Sequence, residues 1–244
     1  MHSEILFYIL LPVVAFLYAA VGHGGASGYL ALMAFFSFAP DFMRPTALLL
    51  NVAVSLIAFI QYYRQGYFDW KLFWPFALAS VPAAFLGGML VVDAGIYKKV
   101  LAVLLIFSVI RLLVDIRIRE AGKSVHPHLL ISLAIGAAIG FLSGMIGIGG
   151  GIILSPVILL LHLADMKKTA AVSALFIFVN SLAGLAGLFT KGFQFETQMI
   201  WLLLIAFAGG ALGSYFGAGR FENKKLKWIL AVVLLIASVK LMTV

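Results

Sequence analysis

Residues 20–29 read "AVGHGGASGY" and residues 145–154 read "MIGIGGGIIL". Both stretches interrupt apolar runs with glycine, the residue that weakens a helix and frees the backbone to turn with positive φ. The runs around them are long. Ten apolar segments can be marked, at about 5–22, 25–39, 45–63, 71–92, 97–114, 128–147, 150–164, 169–190, 197–219 and 226–243. Eight have the roughly 17–25 residues that a helix needs to cross a bilayer. The two short ones, 25–39 and 150–164, each follow a glycine cluster directly.

Composition agrees with a lipid environment. Of the 244 residues, 64% are hydrophobic and 11% charged, against roughly 25% charged in soluble domains. The class that follows is an all-α polytopic membrane protein. The N-terminal "MHSEILFYILLPVVAF" has no basic region ahead of its apolar run, so it reads as a first membrane segment and not as a cleaved signal. With no cysteine, disulfides and thiolate metal sites are excluded, and no cofactor or metal is expected. The net charge of +8 reads as basic loops held on one side of a membrane, so no nucleic-acid partner is expected. A homo-oligomer is compatible with the sequence.

The chain is doubled. Gly22, Gly24 and Gly25 fall on Gly147, Gly149 and Gly150 at an offset of 125. "RQGYFDW" (64–70) falls on "TKGFQFE" (190–196), "PAAFLGGML" (82–90) on "AGGALGSYF" (208–216), and Lys98–Lys99 on Lys224–Lys225, all at 126. This divides the chain into a first membrane repeat at 1–114, a linker at 115–127 and a second repeat at 128–244. If each half is five passes, or three passes after a re-entrant hairpin, the halves are inverted. Eleven basic residues then lie on one side (Arg64, Lys71, Arg117, Arg119, Lys123, Lys167, Lys168, Arg220, Lys224, Lys225 and Lys227) and five on the other (Arg44, Lys98, Lys99, Lys191 and Lys240). If each cluster only kinks a continuous pass, the bias vanishes. The positive-inside rule favours the inverted arrangement, with both termini outside the cytoplasm and the linker inside.

Inverted halves with broken helices are a common build of secondary transporters. Unpaired backbone is tolerated at membrane depth only where it is buried or lines a cavity. The first amides of a helix after a break have no intrahelical partner and carry partial positive charge, which suits an anion. Gly24, Gly25, Ala26 and Ser27 would offer such a site in the first half, and Gly149, Gly150, Gly151 and Ile152 in the second. His23, inside the first cluster, could add charge or carry a proton; its counterpart is Ile148. Asn51, Ser173 and Asn180 are polar residues within apolar segments, expected either to line the cavity or to bond helices together. Arg44 and Lys168 open the third and eighth segments, where they could draw anions into vestibules or snorkel at the interface. Other in-span glycines (Gly87, Gly88, Gly136, Gly140, Gly184, Gly187, Gly209, Gly210, Gly213) read as packing contacts. No carboxylate lies mid-span, unlike a typical proton or cation carrier.

"GFLSGMIGIGGGIILSPVILL" (140–160), its weaker copy "AAVGHGGASGYLAL" and the two-half arrangement resemble the sulfite exporter TauE/SafE family of membrane permeases. The first half departs from the pattern, with "GHGGASG" and no proline close behind. The resemblance implies a multi-pass protein of a prokaryotic inner membrane that exports small sulfur-containing anions such as sulfite, sulfonates and sulfoacetate. Two rival readings are an anion channel and an intramembrane serine protease, the latter because "GASG" (25–28) would present Ser27 as a nucleophile needing a base.

Overall fold

The computed structural model describes residues 2–20, 25–113, 128–220 and 224–243. His23 and Gly24, with Gly22 and the 115–127 linker, lie outside the described residues. Among the described residues every regular element is a helix: α1 (His2–Ala20), α2 (Ala26–Phe35), α3 (Pro40–Arg64), α4 (Trp70–Met89), α5 (Ala94–Leu113), α6 (Leu129–Ile146), α7 (Gly151–Leu160), α8 (Met166–Phe189), α9 (Thr197–Arg220) and α10 (Lys224–Thr243).

Helices α3, α4, α6, α8 and α9 are long and apolar enough to cross a membrane. Helices α1, α5 and α10, at 19, 20 and 20 residues, have similar length. The short pair is shorter than the apolar runs imply. Each has 10 residues, about 15 Å of rise, or half the hydrocarbon core. Both end in the same turn. Phe38 N donates to Met33 O across Ser37, and Leu163 N donates to Ile158 O across His162. Ser37 and His162 have φ of 62° and 53°.

Such matched devices recur along the chain. Gly25 and Gly150, 125 residues apart, both have φ 80° and precede the short helices. Gly66 and Gly192, 126 apart, have φ 77° and 81° in the turns after α3 and α8. The packing is matched too. Helix α4 lies on α6 as α9 lies on α1; α4 meets α8 as α9 meets α3; α2 meets α3 as α7 meets α8. Each pair becomes the other when a helix is exchanged for its counterpart five places away.

Small residues let these helices approach closely. A Cβ on Gly136, Gly140 or Gly144 of α6 would run into the backbone of α4 at Phe76, Ser80 and Ala84. One on Gly209 or Gly213 of α9 would strike α1 at Pro12 and Phe16. Large apolar side chains such as Ile9, Leu78, Leu86 and Trp201 face outward, while Ser27, Asn51, Ser55, Ser80, Ser173, Asn180 and Ser181 are buried. That distribution suits lipid outside and a polar seam within.

Side-chain contacts mark the two ends of the bundle. Lys167 Nζ donates to Tyr67 Oη at 3.1 Å, so the turn after α3 and the start of α8 share one end. Ser37, Phe38, Lys98 and Lys240 line one small cavity, and Lys240 Nζ bonds Ser37 Oγ at 2.8 Å and Phe35 O. The turn after α2, the start of α5 and the end of α10 therefore share another.

Candidate functional site

The helix starts differ in how they are capped. Asp69 Oδ1 accepts from Lys71 N at 2.9 Å at the start of α4, and Asp165 Oδ1 from Lys168 N at 2.9 Å at the start of α8. Asp93 Oδ1 accepts from Gly95 N at 2.9 Å and Ile96 N at 3.2 Å, where α5 begins. These three aspartates are N-caps, which is why they sit at segment ends. Helices α2 and α7 start instead on Gly25 and Gly150, and neither has a side-chain cap. With Tyr29 N already on Gly25 O, the amides of Ala26, Ser27 and Gly28 are left without an intrahelical acceptor. In α7, Ile153 N and Leu154 N both reach Gly150 O, leaving Gly151 and Ile152.

The carbonyl side of the second break is treated in the opposite way. Gly147 closes α6 with φ 94°. Just before it, Tyr97 Oη donates to Ile146 O at 2.9 Å and Arg44 Nε donates to Gly144 O at 3.0 Å. Asn51 Nδ2 lies 3.5 Å from Gly147 O. Carbonyl oxygens thus receive donors, whereas the amides across the break receive no side-chain acceptor among the described residues. The local field at the break favours negative charge.

Both breaks meet in one cavity. Gly25, Ala26 and Ser27 line it from the first, Ile148 and Ile152 from the second, with Tyr18 and Ile177 closing the sides. It has ≈ 10 Å³ of room for water-molecule centres, about one water. Its depth follows from its neighbours. A Cβ on Gly149 would lie 2.7 Å from Ile177 Cγ2, 2.8 Å from Asn51 Nδ2 and 3.2 Å from Ser181 Oγ. Asn51 and Ile177 stand near the midpoints of α3 and α8, two long helices packed on each other, so the break lies half-way along them.

The residues expected from the sequence divide. Gly25 and Ser27 line the cavity, whereas Gly149, Gly150 and Gly151 lie between its lining residues Ile148 and Ile152, with Gly149 and Gly151 packed against Ile177 and Gly150 against Ile139 and Phe176. Asn51 flanks Gly149. Ser173 is paired with Ser155 Oγ at 2.9 Å, which itself bonds Gly151 O, so it supports the start of α7. Asn180 is occupied in packing: Ser80 Oγ donates to its Oδ1, and its Nδ2 bonds Phe176 O at 2.8 Å. Lys168 stands at the end of the bundle marked by Lys167 and Tyr67. Arg44 occupies a setting other than an open vestibule. It is 7% exposed, and besides Gly144 O its guanidinium bonds Leu90 O at 2.8 Å and Gly87 O and Gly88 O at 2.7 Å each. It stitches the C-terminal ends of α4 and α6 together.

Of the cavity's lining residues, Ile148, Ile177 and Tyr18 escaped the sequence reading. Isoleucine on a cavity wall has the same signature as isoleucine against lipid. Ser27 Oγ donates to Tyr18 Oη at 3.0 Å, and His162 stands exposed past the far end of α7.

Comparison with known proteins agrees with this architecture. The model of the sulfite exporter TauE/SafE family matches residues 7–241. The chain is 37% identical over 234 residues to the probable membrane transporter protein y4hK of Sinorhizobium fredii, covering 94% of each. It is 26% identical to the probable membrane transporter protein YjnA of Bacillus subtilis, covering 93% of this chain and 95% of the relative. It is 30% identical to the probable membrane transporter protein MJ0441 of Methanocaldococcus jannaschii, covering 77% and 75%. No solved structure matches it. A bundle of apolar helices around a polar, half-depth break, matched over nearly its whole length by this family's model, is a membrane transporter belonging to the sulfite exporter TauE/SafE family.

Proposed function

We propose that the protein exports a small sulfur-containing anion, sulfite or an organosulfonate such as sulfoacetate, across the inner membrane of a prokaryote by alternating access. The observation that carries this reading is the single cavity lined by both glycine breaks. Uncapped amides of α2 and α7 would hold the anion there, and the family's description supplies the substrate class. Export of an anion from a negative interior gains about 2.3 kcal/mol per charge per 100 mV, so no coupling carboxylate is needed.

The two halves would lie in opposite orientation and rock against each other about the site. Support comes from the shared ends: Lys167 beside Tyr67, and Lys98 beside Lys240. A continuous kinked pass at each cluster would put each of those pairs on opposite sides. The basic bias of eleven to five favours both termini outside.

The test is flux in proteoliposomes loaded with sulfite, methanesulfonate, sulfate or a carboxylate. Saturable efflux of the sulfur monoanions, accelerated by the same anion outside and lost in Gly149→Leu, supports the proposal. Unchanged flux in Gly149→Leu contradicts the site. Flux far above carrier rates without counter-exchange would make the protein a channel.

A further inference from the structure

We propose that the cavity past the end of α2, where Lys98 of α5 and Lys240 of α10 converge, is a second oxyanion site, separate from the one between the glycine breaks. The ligand it fits carries a sulfonate or phosphate group, presented by a free anion or by a lipid headgroup.

The cavity has ≈ 60 Å³ of room for water-molecule centres. That is about four to six waters, enough for a sulfonate or phosphate group. Lys98 and Lys240 line it with Ser37, and Ala34, Phe38 and Met43 form its apolar wall. Two ammonium groups on one cavity repel each other, and an anion between them turns that repulsion into attraction on both sides. The groups are placed for this. Lys240 Nζ is held by Ser37 Oγ at 2.8 Å and by Phe35 O. Ser37 accepts that bond and keeps its own proton to donate. Lys98 reaches the cavity from α5, half-buried, with no hydrogen bond or ion pair to another described residue. The acidic residue nearest it in the chain, Asp93, has its Oδ1 turned to Gly95 N and Ile96 N.

The C-terminal end of a helix is negative, and α2 ends at this cavity. Its last four carbonyls are nevertheless taken: Leu32 O by Phe36 N, Met33 O by Phe38 N, Ala34 O by Ser37 N and Phe35 O by Lys240. An anion here meets ammonium and hydroxyl groups and no bare carbonyl of that turn. The sequence repeats the pattern. Lys98 falls on Lys224 at an offset of 126 and Arg111 on Lys240 at 129, while Ser37 falls on His162, the other left-handed turn residue, at 125. Basic residues thus recur in both halves at both positions. The two sites share one helix: Ala26 lines the central cavity and Ala34 this one, about 12 Å apart along α2.

The chain has no cysteine, so Ser37→Cys in the full-length protein reports on this cavity alone. Its reaction is timed with an anionic and a cationic methanethiosulfonate reagent in lipid-free detergent. The anionic reagent should be favoured, and Lys98→Gln should shift the rate ratio at least about tenfold toward the cationic one. Methanesulfonate or inorganic phosphate should slow the anionic reagent saturably; Lys98→Gln should abolish that protection and Lys98→Arg keep it. Phe38→Cys, on the same wall, repeats the measurement with the bond from Lys240 to Ser37 intact. Nanodiscs of phosphatidylglycerol separate the two sources. Protection by methanesulfonate in nanodiscs as in detergent supports the site with a free anion. A cysteine already shielded in nanodiscs, with methanesulfonate effective only in detergent, supports it with a headgroup. An unchanged rate ratio in Lys98→Gln, or no protection by anions or lipid, overturns the proposal. Protection lost in Gly149→Leu also overturns it, because the anion would then sit at the central break; protection kept there upholds this site whatever becomes of the central one.

Discussion

Replacing Arg44 by methionine keeps most of the side-chain volume and removes every donor. Four carbonyls lose their partner at once: Gly144 O, Leu90 O, Gly87 O and Gly88 O, at 3.0, 2.8, 2.7 and 2.7 Å. Gly87 O keeps the amide of Leu90 at 3.2 Å and Leu90 O is only part-buried, while Gly88 O and Gly144 O lie near helix ends packed against other helices. A charge-assisted hydrogen bond is worth about 1.5–3 kcal/mol when a buried partner is left behind. The losses are not additive, and stripping one side of a buried charged cluster generally costs about 3–5 kcal/mol. At about 2–4 °C per kcal/mol for a chain of this size, the melting temperature should fall by about 6–20 °C. Flux should fall as well, since Arg44 fixes the end of α6 from which the second break departs. Lysine, with a point charge and three donors, should recover only part of the loss. The assay is thermal unfolding in detergent followed by efflux at a temperature where both proteins are folded. A melting temperature within about 3 °C of wild type would refute the reasoning, because it would mean the four carbonyls find other partners freely.

Three further outcomes follow from the same geometry. Gly25→Ala and Gly66→Ala both force alanine into φ near 80°, at about 1–2 kcal/mol, but only Gly25 has a neighbour in the way; flux measurements should find Gly66→Ala active and Gly25→Ala inactive. Ile177→Ala should cost about 2–5 kcal/mol of stability as a buried truncation, and by widening the cavity should shift competition assays toward larger sulfonates. Cysteines placed at Gly66 and Lys167 should be labelled by an impermeant reagent from one side of the membrane, and cysteines at Lys98 and Ser37 from the other; labelling of Gly66 and Lys167 from opposite sides would contradict inverted halves.

Much of the helix order could be read from the chain. The two breaks were visible because glycine at Gly25 and Gly150 answers a demand, positive φ ahead of a helix, that few other residues meet. The ends of the short helices were not visible. Their left-handed turn residues are Ser37 and His162, which carry no such signal, so the apolar runs seemed to continue to about residues 39 and 164. Capping was half legible: the aspartates marked segment ends, but their silence at α2 and α7 acquired meaning only beside the cavity. Arg44 shows the other limit. Its place near a segment opening suggested the membrane surface, while its acceptors come from chain positions 43 to 100 residues away, which only tertiary packing brings together.

The central claim is that the starts of α2 and α7 face one another across a site that holds an anion. The chain has no cysteine, so a pair introduced as Ala26→Cys and Ile152→Cys can be read without background. A short bifunctional thiol reagent should join the two in membranes, and methanesulfonate should slow alkylation of each single variant in a saturable way. Failure of the pair to join, with alkylation rates indifferent to any sulfur anion, would mean that the two helix starts do not share a site.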